Sequence, residues 1–199
     1  MVSNQQPVPF ALPPDLLDLD AQLAAVAQDA AALVAGLGAV AGAARTAPGS
    51  WSVAECLDHL AVADRVYLDA MRAAAAAARR RGRLRRGPAL PGVIGRWFVR
   101  TMEPPVVQRR KLRAPRKIVP RSSPPLADAM AAFTAAHADA RAFLREFADL
   151  DLAGTHFRNP FVPGVRFSLA TGLNVIAAHE RRHLWQAWNV RRAVTDVAA

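Results

Sequence analysis

The chain has 199 residues, 52% of them apolar, enough to bury one sizeable core, so one domain spanning 1–199 is expected. Alanine is by far the commonest residue, aromatic residues are few, and the lone Cys56 excludes an internal disulfide or a thiolate-cluster metal site. This composition predicts an all-α protein in which any metal sits on imidazole or carboxylate. The net charge of +10 is uneven: fifteen of the 26 Lys and Arg lie between Arg79 and Arg121, where Glu103 is the only acid, leaving the remainder slightly acidic.

After a loose start ending at Pro13-Pro14, Leu16, Leu19, Leu23, Val26, Ala30, Leu33, Val34 and Leu37 recur at helical spacing and predict a first helix. The early Asp15, Asp18 and Asp20 are unlike a secretory leader, and Ala30–Ala44 is too short to span a bilayer, so a cytoplasmic protein with no membrane partner is expected. Gly36, Gly38 and Gly42 weaken the helix, and Pro48-Gly49 marks a connection. Ser52-Val53-Ala54-Glu55 then has capping-box spacing. The stripe Val53, Cys56, Leu57, Leu60, Ala63, Tyr67, Met71 and the alanine run to Ala78 make the second helix long.

From Gly82 to Pro125 prolines, glycines and cations predict a long basic excursion between the second and third helices, with a short helix near Ile94–Met102. A third helix follows from Leu126, carrying Met130, Phe133, His137, Ala140, Phe143, Leu144 and Phe147 on or beside one face. A loop through Gly154 and Asn159-Pro160 precedes a fourth helix from about Ser168. No sustained alternation suggests a sheet. The economical architecture is an antiparallel four-helix bundle.

His179 and His183 are four residues apart, so on a helix both can reach one ion from a face shared with Val175, Ile176 and Val190. The string His179-Glu180-Arg181-Arg182-His183 also spells the H-E-x-x-H of zinc peptidases. Its context does not match, because the sixteen residues after His183 hold no histidine or glutamate. The best further ligand upstream is His59, beside the apolar stripe of the second helix. Taken alone, such a histidine is more often a partly exposed hydrogen-bonding residue.

The strings WSVAECLDHL and HERRHLWQ, with the approach NPFVPGVRFSLATGLNVIAAHERRHLWQ, resemble the DinB-like superfamily of metal-dependent enzymes, and the helical layout extends the likeness over almost the whole chain. The resemblance implies that His59, His179 and His183 are the three protein ligands of a divalent metal, with coordination positions left open. Imidazole suits zinc, nickel, iron or copper without choosing among them; nickel and zinc are the leading expectation, with iron, manganese or copper as alternatives. Gln186 can act as a hydrogen-bonding neighbour of the ligands or as core-edge packing, and His137 as a further ligand, a proton carrier or a satisfied core histidine. Glu180 can be a base or a salt-bridge partner on the helix flank. Cys56 and Trp51 are expected to pack, His156 to be exposed, and Trp185 and Trp188 to cover a second interface.

The activity expected from these features is that of a metal-dependent transferase or hydrolase acting on a small-molecule substrate. The metal would activate a water or a low-molecular-weight thiol cosubstrate for S-transfer. The resemblance is compatible with a homodimer. Two other readings compete: nucleic-acid or anionic-surface binding through the Arg-rich 79–121 segment, and a non-catalytic bundle that metal only stabilises.

Overall fold

The computed structural model describes residues 11–105, 118–120 and 123–196. The expected loose start over residues 1–10, the basic stretch at 106–117, and Arg121 lie outside the described residues. The fold is all-α apart from one small hairpin. Four long helices, α1 (Pro14–Val34), α3 (Val53–Arg80), α5 (Leu126–Glu146) and α6 (Leu169–Asp196), are joined by two short ones, α2 (Ala39–Ala43) and α4 (Val93–Met102). Two three-residue strands, β1 (His156–Arg158) and β2 (Arg166–Ser168), pair antiparallel with Phe157 opposite Phe167.

Each long helix forms where the apolar period is sustained, and its boundaries have identifiable chemistry. Pro14 opens α1 at a position where its missing N–H costs nothing. Ser52 caps α3: its side chain accepts from the Glu55 N–H at 3.2 Å, while the Ser52 N–H donates to Glu55 Oε2 at 2.9 Å. Arg45 closes on the same carboxylate, with Nε to Oε2 at 2.9 Å. Burial raises the Glu55 pKa, but Arg45 and Ser52 outweigh it and hold the carboxyl below its ordinary range. Ser168 accepts from the Thr171 N–H at 3.1 Å at the start of α6.

The side-chain ties between helices reveal their directions. Arg65 and Arg79 of α3 donate to the carbonyls of Ala132 and Glu146 on α5, so α3 and α5 run parallel. Likewise Arg181 reaches Gln22, Trp188 reaches Asp29 and Arg191 reaches the Leu33 carbonyl, so α6 runs parallel to α1. The expectation of uniformly antiparallel neighbours therefore needs revision within these two pairs. Parallel helices cannot be joined by a tight turn, which is the physical reason for the long connection between α3 and α5.

The buried apolar side chains fall into two clusters. One gathers Leu16, Leu19, Met71, Phe143, Phe157 and Ile176, and the other Leu33, Leu57, Leu60, Phe133, Leu184 and Val190. Along α3, α5 and α6 the two clusters are separated by Asp64, His137 and Glu180, all buried. The hairpin was not expected from sequence. It is held by Asn159, whose side-chain oxygen accepts from the N–H groups of Phe161 and Val162 and whose amide donates to the Tyr67 hydroxyl at 2.9 Å. Among the described residues, no helix is long and apolar enough to cross a membrane.

Candidate metal centre

Three histidines meet where α3 faces α6. His59, His179 and His183 each offer a ring nitrogen, and these atoms lie within 4.8 Å of one another; no other such group of three His, Cys, Asp or Glu occurs among the described residues. One turn of α6 sets His179 edge-on to His183, with ring centroids 4.6 Å apart, and α3 brings His59 within 5.1 and 4.5 Å of the two rings. Each ring therefore meets the other two.

The hydrogen bonding assigns the face that His59 turns to the group. Its Nδ1 lies 2.6 Å from the carbonyl oxygen of Ile118. A carbonyl can only accept, so Nδ1 carries the proton and Nε2 presents a lone pair. That Nε2 is 3.3 Å from His179 Nε2, a separation at which a proton or a cation can bridge two nitrogens. Two nitrogens bound to one tetrahedral ion at about 2.0–2.1 Å are themselves roughly 3.3 Å apart. His183 Nδ1 is buried with no hydrogen-bond partner among the described residues. The donor set and its spacing fit a divalent transition metal held by imidazole.

Electrostatics favours the neutral, ligand-ready form of all three rings. His179 is half-buried as a residue, and burial of its ring, aided by His59 and Arg182, pushes its pKa down to about 3. Burial, followed by His179, His59 and Arg182, places His183 well below the ordinary imidazole value. Burial also lowers His59, against the opposing pull of the Ile118 carbonyl. Gln186 favours a charged His183 without a hydrogen bond of good geometry to the buried Nδ1. Trp51, just before α3, lies with its ring centroid 4.7 Å from His59 and 5.6 Å from His183, walling one side of the group.

Glu180 points elsewhere. Its Oε1 is 2.8 Å from His137 Nδ1 on α5, and both residues are buried. It therefore lies in the core rather than on the helix flank, and His137 is not gathered with the three histidines. Burial and Glu180 together hold the Asp64 proton on well above the ordinary carboxylate range, while burial pushes Glu180 up to about 8. The acid pair thus holds at least one proton at neutral pH. Burial keeps His137 on the neutral side, so its Nδ1–H donates to Glu180. Cys56 is fully buried on the apolar stripe and His156 is exposed.

The Ile118 carbonyl and Asp64 are not singled out by the sequence, and Trp51 is expected there only to pack. The Ile118 carbonyl is backbone, which any residue carries, so no side-chain pattern reports it. Asp64 lies on the period of the buried α3 stripe, between Leu60 and Tyr67, and a carboxylate at such a position was a legible signal. Trp51 precedes His59 by eight residues, and an aromatic two turns from a ligand is a weaker clue.

By fold and site, this is a helical protein presenting three neutral imidazoles from two helices to one point, with a polar layer beneath them. The chain belongs to the DinB superfamily, whose family model matches residues 22–187 and so takes in all three histidines. No curated protein and no solved structure matches the chain.

Proposed function

We propose that this chain is a metal-dependent enzyme that uses His59, His179 and His183 to hold one divalent transition metal, nickel or zinc foremost, for thiol S-transfer or hydrolysis. The observation that carries the reading is the 3.3 Å approach of two imidazole Nε2 atoms beside a third ring with a buried, unpartnered nitrogen. The family match supports it, and it supports treating α1, α3, α5 and α6 as a four-helix bundle in a single domain. A divalent ion bound there would act as a Lewis acid and lower the pKa of a water or thiol placed on it.

The chain's own residues supply the remainder. Ile118 fixes the tautomer of His59, as partners of ligand histidines commonly do. Trp51 restricts water on one side. Arg182, which donates to the Thr101 carbonyl at 3.2 Å, places a cation close enough to depress both His179 and His183. An anionic group on a substrate or thiol entering beside those rings meets that charge. Glu180, turned toward His137, is not positioned as the base of a zinc peptidase.

The test is metal analysis of untagged protein purified without chelators, alongside His59→Ala and His183→Ala. Near-stoichiometric metal in the parent and its loss from both variants is the expected result. The metal-loaded protein is then screened for transfer of low-molecular-weight thiols to electrophiles and for hydrolysis. A parent protein that carries no metal and takes up none of nickel, zinc, iron, manganese or copper overturns the proposal.

A further inference from the structure

Helix α4 has two apolar faces, and only one of them is used. Gly95 and Phe98 face the body of the protein. A Cβ on Gly95 would stand 2.4 Å from Thr171 Oγ1, and the Phe98 ring lies 5.0 Å from that of Phe167. The far end is anchored as well, by the Arg181 salt bridge to Glu103 and by Arg182 on the Thr101 carbonyl. The helix is a seated element whose outer face has a fixed presentation.

That outer face is Val93, Ile94 and Trp97, which recur at helical spacing and are 74%, 75% and 64% exposed. Leu90, 54% exposed, extends the patch into the preceding segment. Four large apolar side chains gathered in this way are more than the scattered exposure of an ordinary surface. Arg96 and Arg100 on the same helix flank them; both are exposed and form no salt bridge among the described residues.

An aliphatic and indole centre flanked by two guanidinium groups selects among occupants by charge. A second copy of the same face would set arginine against arginine. A nucleic acid would satisfy the arginines, but it offers no apolar phase for Val93, Ile94 and Leu90. An anionic lipid bilayer satisfies both halves: the apolar side chains enter the boundary between headgroups and acyl chains, tryptophan rests at that depth, and the arginines meet lipid phosphates. We propose that the outer face of α4 is a docking surface for anionic membranes, placing the protein on a bilayer without crossing it. This departs from the expectation of no membrane partner and stands independently of the metal centre.

The test is co-sedimentation of the full chain with vesicles of phosphatidylcholine alone and of phosphatidylcholine and phosphatidylglycerol in equal amounts. The parent protein is compared with the double variants Ile94→Ser/Trp97→Ser and Arg96→Glu/Arg100→Glu. Circular dichroism and metal content verify that these exposed substitutions leave the fold intact. The expected result is binding to the anionic vesicles only, weakened roughly tenfold or more by either variant, with a blue shift of parent tryptophan fluorescence that the serine variant loses. No sedimentation with anionic vesicles overturns the proposal. Undiminished binding by the serine variant also overturns it, since attraction would then be charge alone. So does finding that the serine substitutions abolish self-association or duplex DNA binding while vesicle binding is absent.

Discussion

Replacing Glu180 by alanine tests whether this carboxylate belongs to the core or to the chemistry. The substitution leaves His137 Nδ1 without its partner at 2.8 Å and Asp64 facing a void, in a layer that is fully buried at Glu180. Each buried neutral group left without its partner costs about 1–3 kcal/mol, so the two stranded groups together cost roughly 2–6 kcal/mol. For a chain of this size each kcal/mol lowers the Tm by roughly 2–4 °C, so a fall of about 4–24 °C is expected. Calorimetry should be done on metal-free protein, because a bound ion stabilises the folded state by mass action and would mask part of the loss. Metal stoichiometry on reloading should stay near that of the parent. Replacing Asp64, His137 and Glu180 together by leucine or methionine of similar volume should recover most of the stability, since an apolar layer needs no partners. A Glu180→Ala protein that melts with the parent but has lost a hydrolytic activity would refute this reasoning and return Glu180 to the role of base.

Stability should peak near neutral pH. The buried histidines bind protons less readily than their unfolded counterparts, so the stability they contribute is present above about pH 6.5 and is lost as pH falls toward the value of about 3 reached by His179. Glu180 acts in the opposite sense, its contribution being present below its unfolded value of 4.5 and lost as pH rises through about 8. Urea midpoints of metal-free protein across this range check both limbs, and a midpoint that is flat in pH would contradict them. Gly172→Val should lower the Tm, because even a Cβ there stands 2.8 Å from Met71 Sδ and 2.9 Å from Phe157 Cε1. Overpacking of this kind costs about 1–3 kcal/mol, and parent-like melting would show a looser fit between α6 and the hairpin. Cys56, whose thiol burial pushes far up, should resist aromatic disulfide reagents in native buffer and react at once in denaturant; rapid native labelling would contradict its placement.

The long helices were legible because the apolar period that predicts them is the period that is buried: Leu16, Leu19, Leu23, Val26, Ala30 and Leu33 all lie in the core. Ser52 and Glu55 announced the start of α3 through local chemistry that depends on no other part of the chain. The five residues of α2, amid glycines, and the three-residue strands of the hairpin are too short for any period to register. Glu180 was misplaced on a flank for a different reason. Its partners sit 43 residues away on α5 and on α3, and helical spacing within α6 says nothing about what another helix presents. The parallel course of α3 and α5 is likewise a property of the assembled helices, hinted at only by the length of what joins them.

The polar layer formed by Asp64, His137 and Glu180 also works like the pin of a lock. Slide any of the three helices along its neighbours by one turn, about 5.4 Å, and a carboxyl or imidazole is driven against leucine while its partners are stranded. Apolar contacts above and below would forgive such a slip, since leucine packs on leucine in many registers. Because Glu180 directly follows His179, and Asp64 lies little more than a turn beyond His59, the pin that fixes the helices also fixes the height of the histidines relative to one another. Their convergence is therefore set by protein packing before any ion arrives, and the metal-free chain should refold to the same histidine geometry that it needs when loaded.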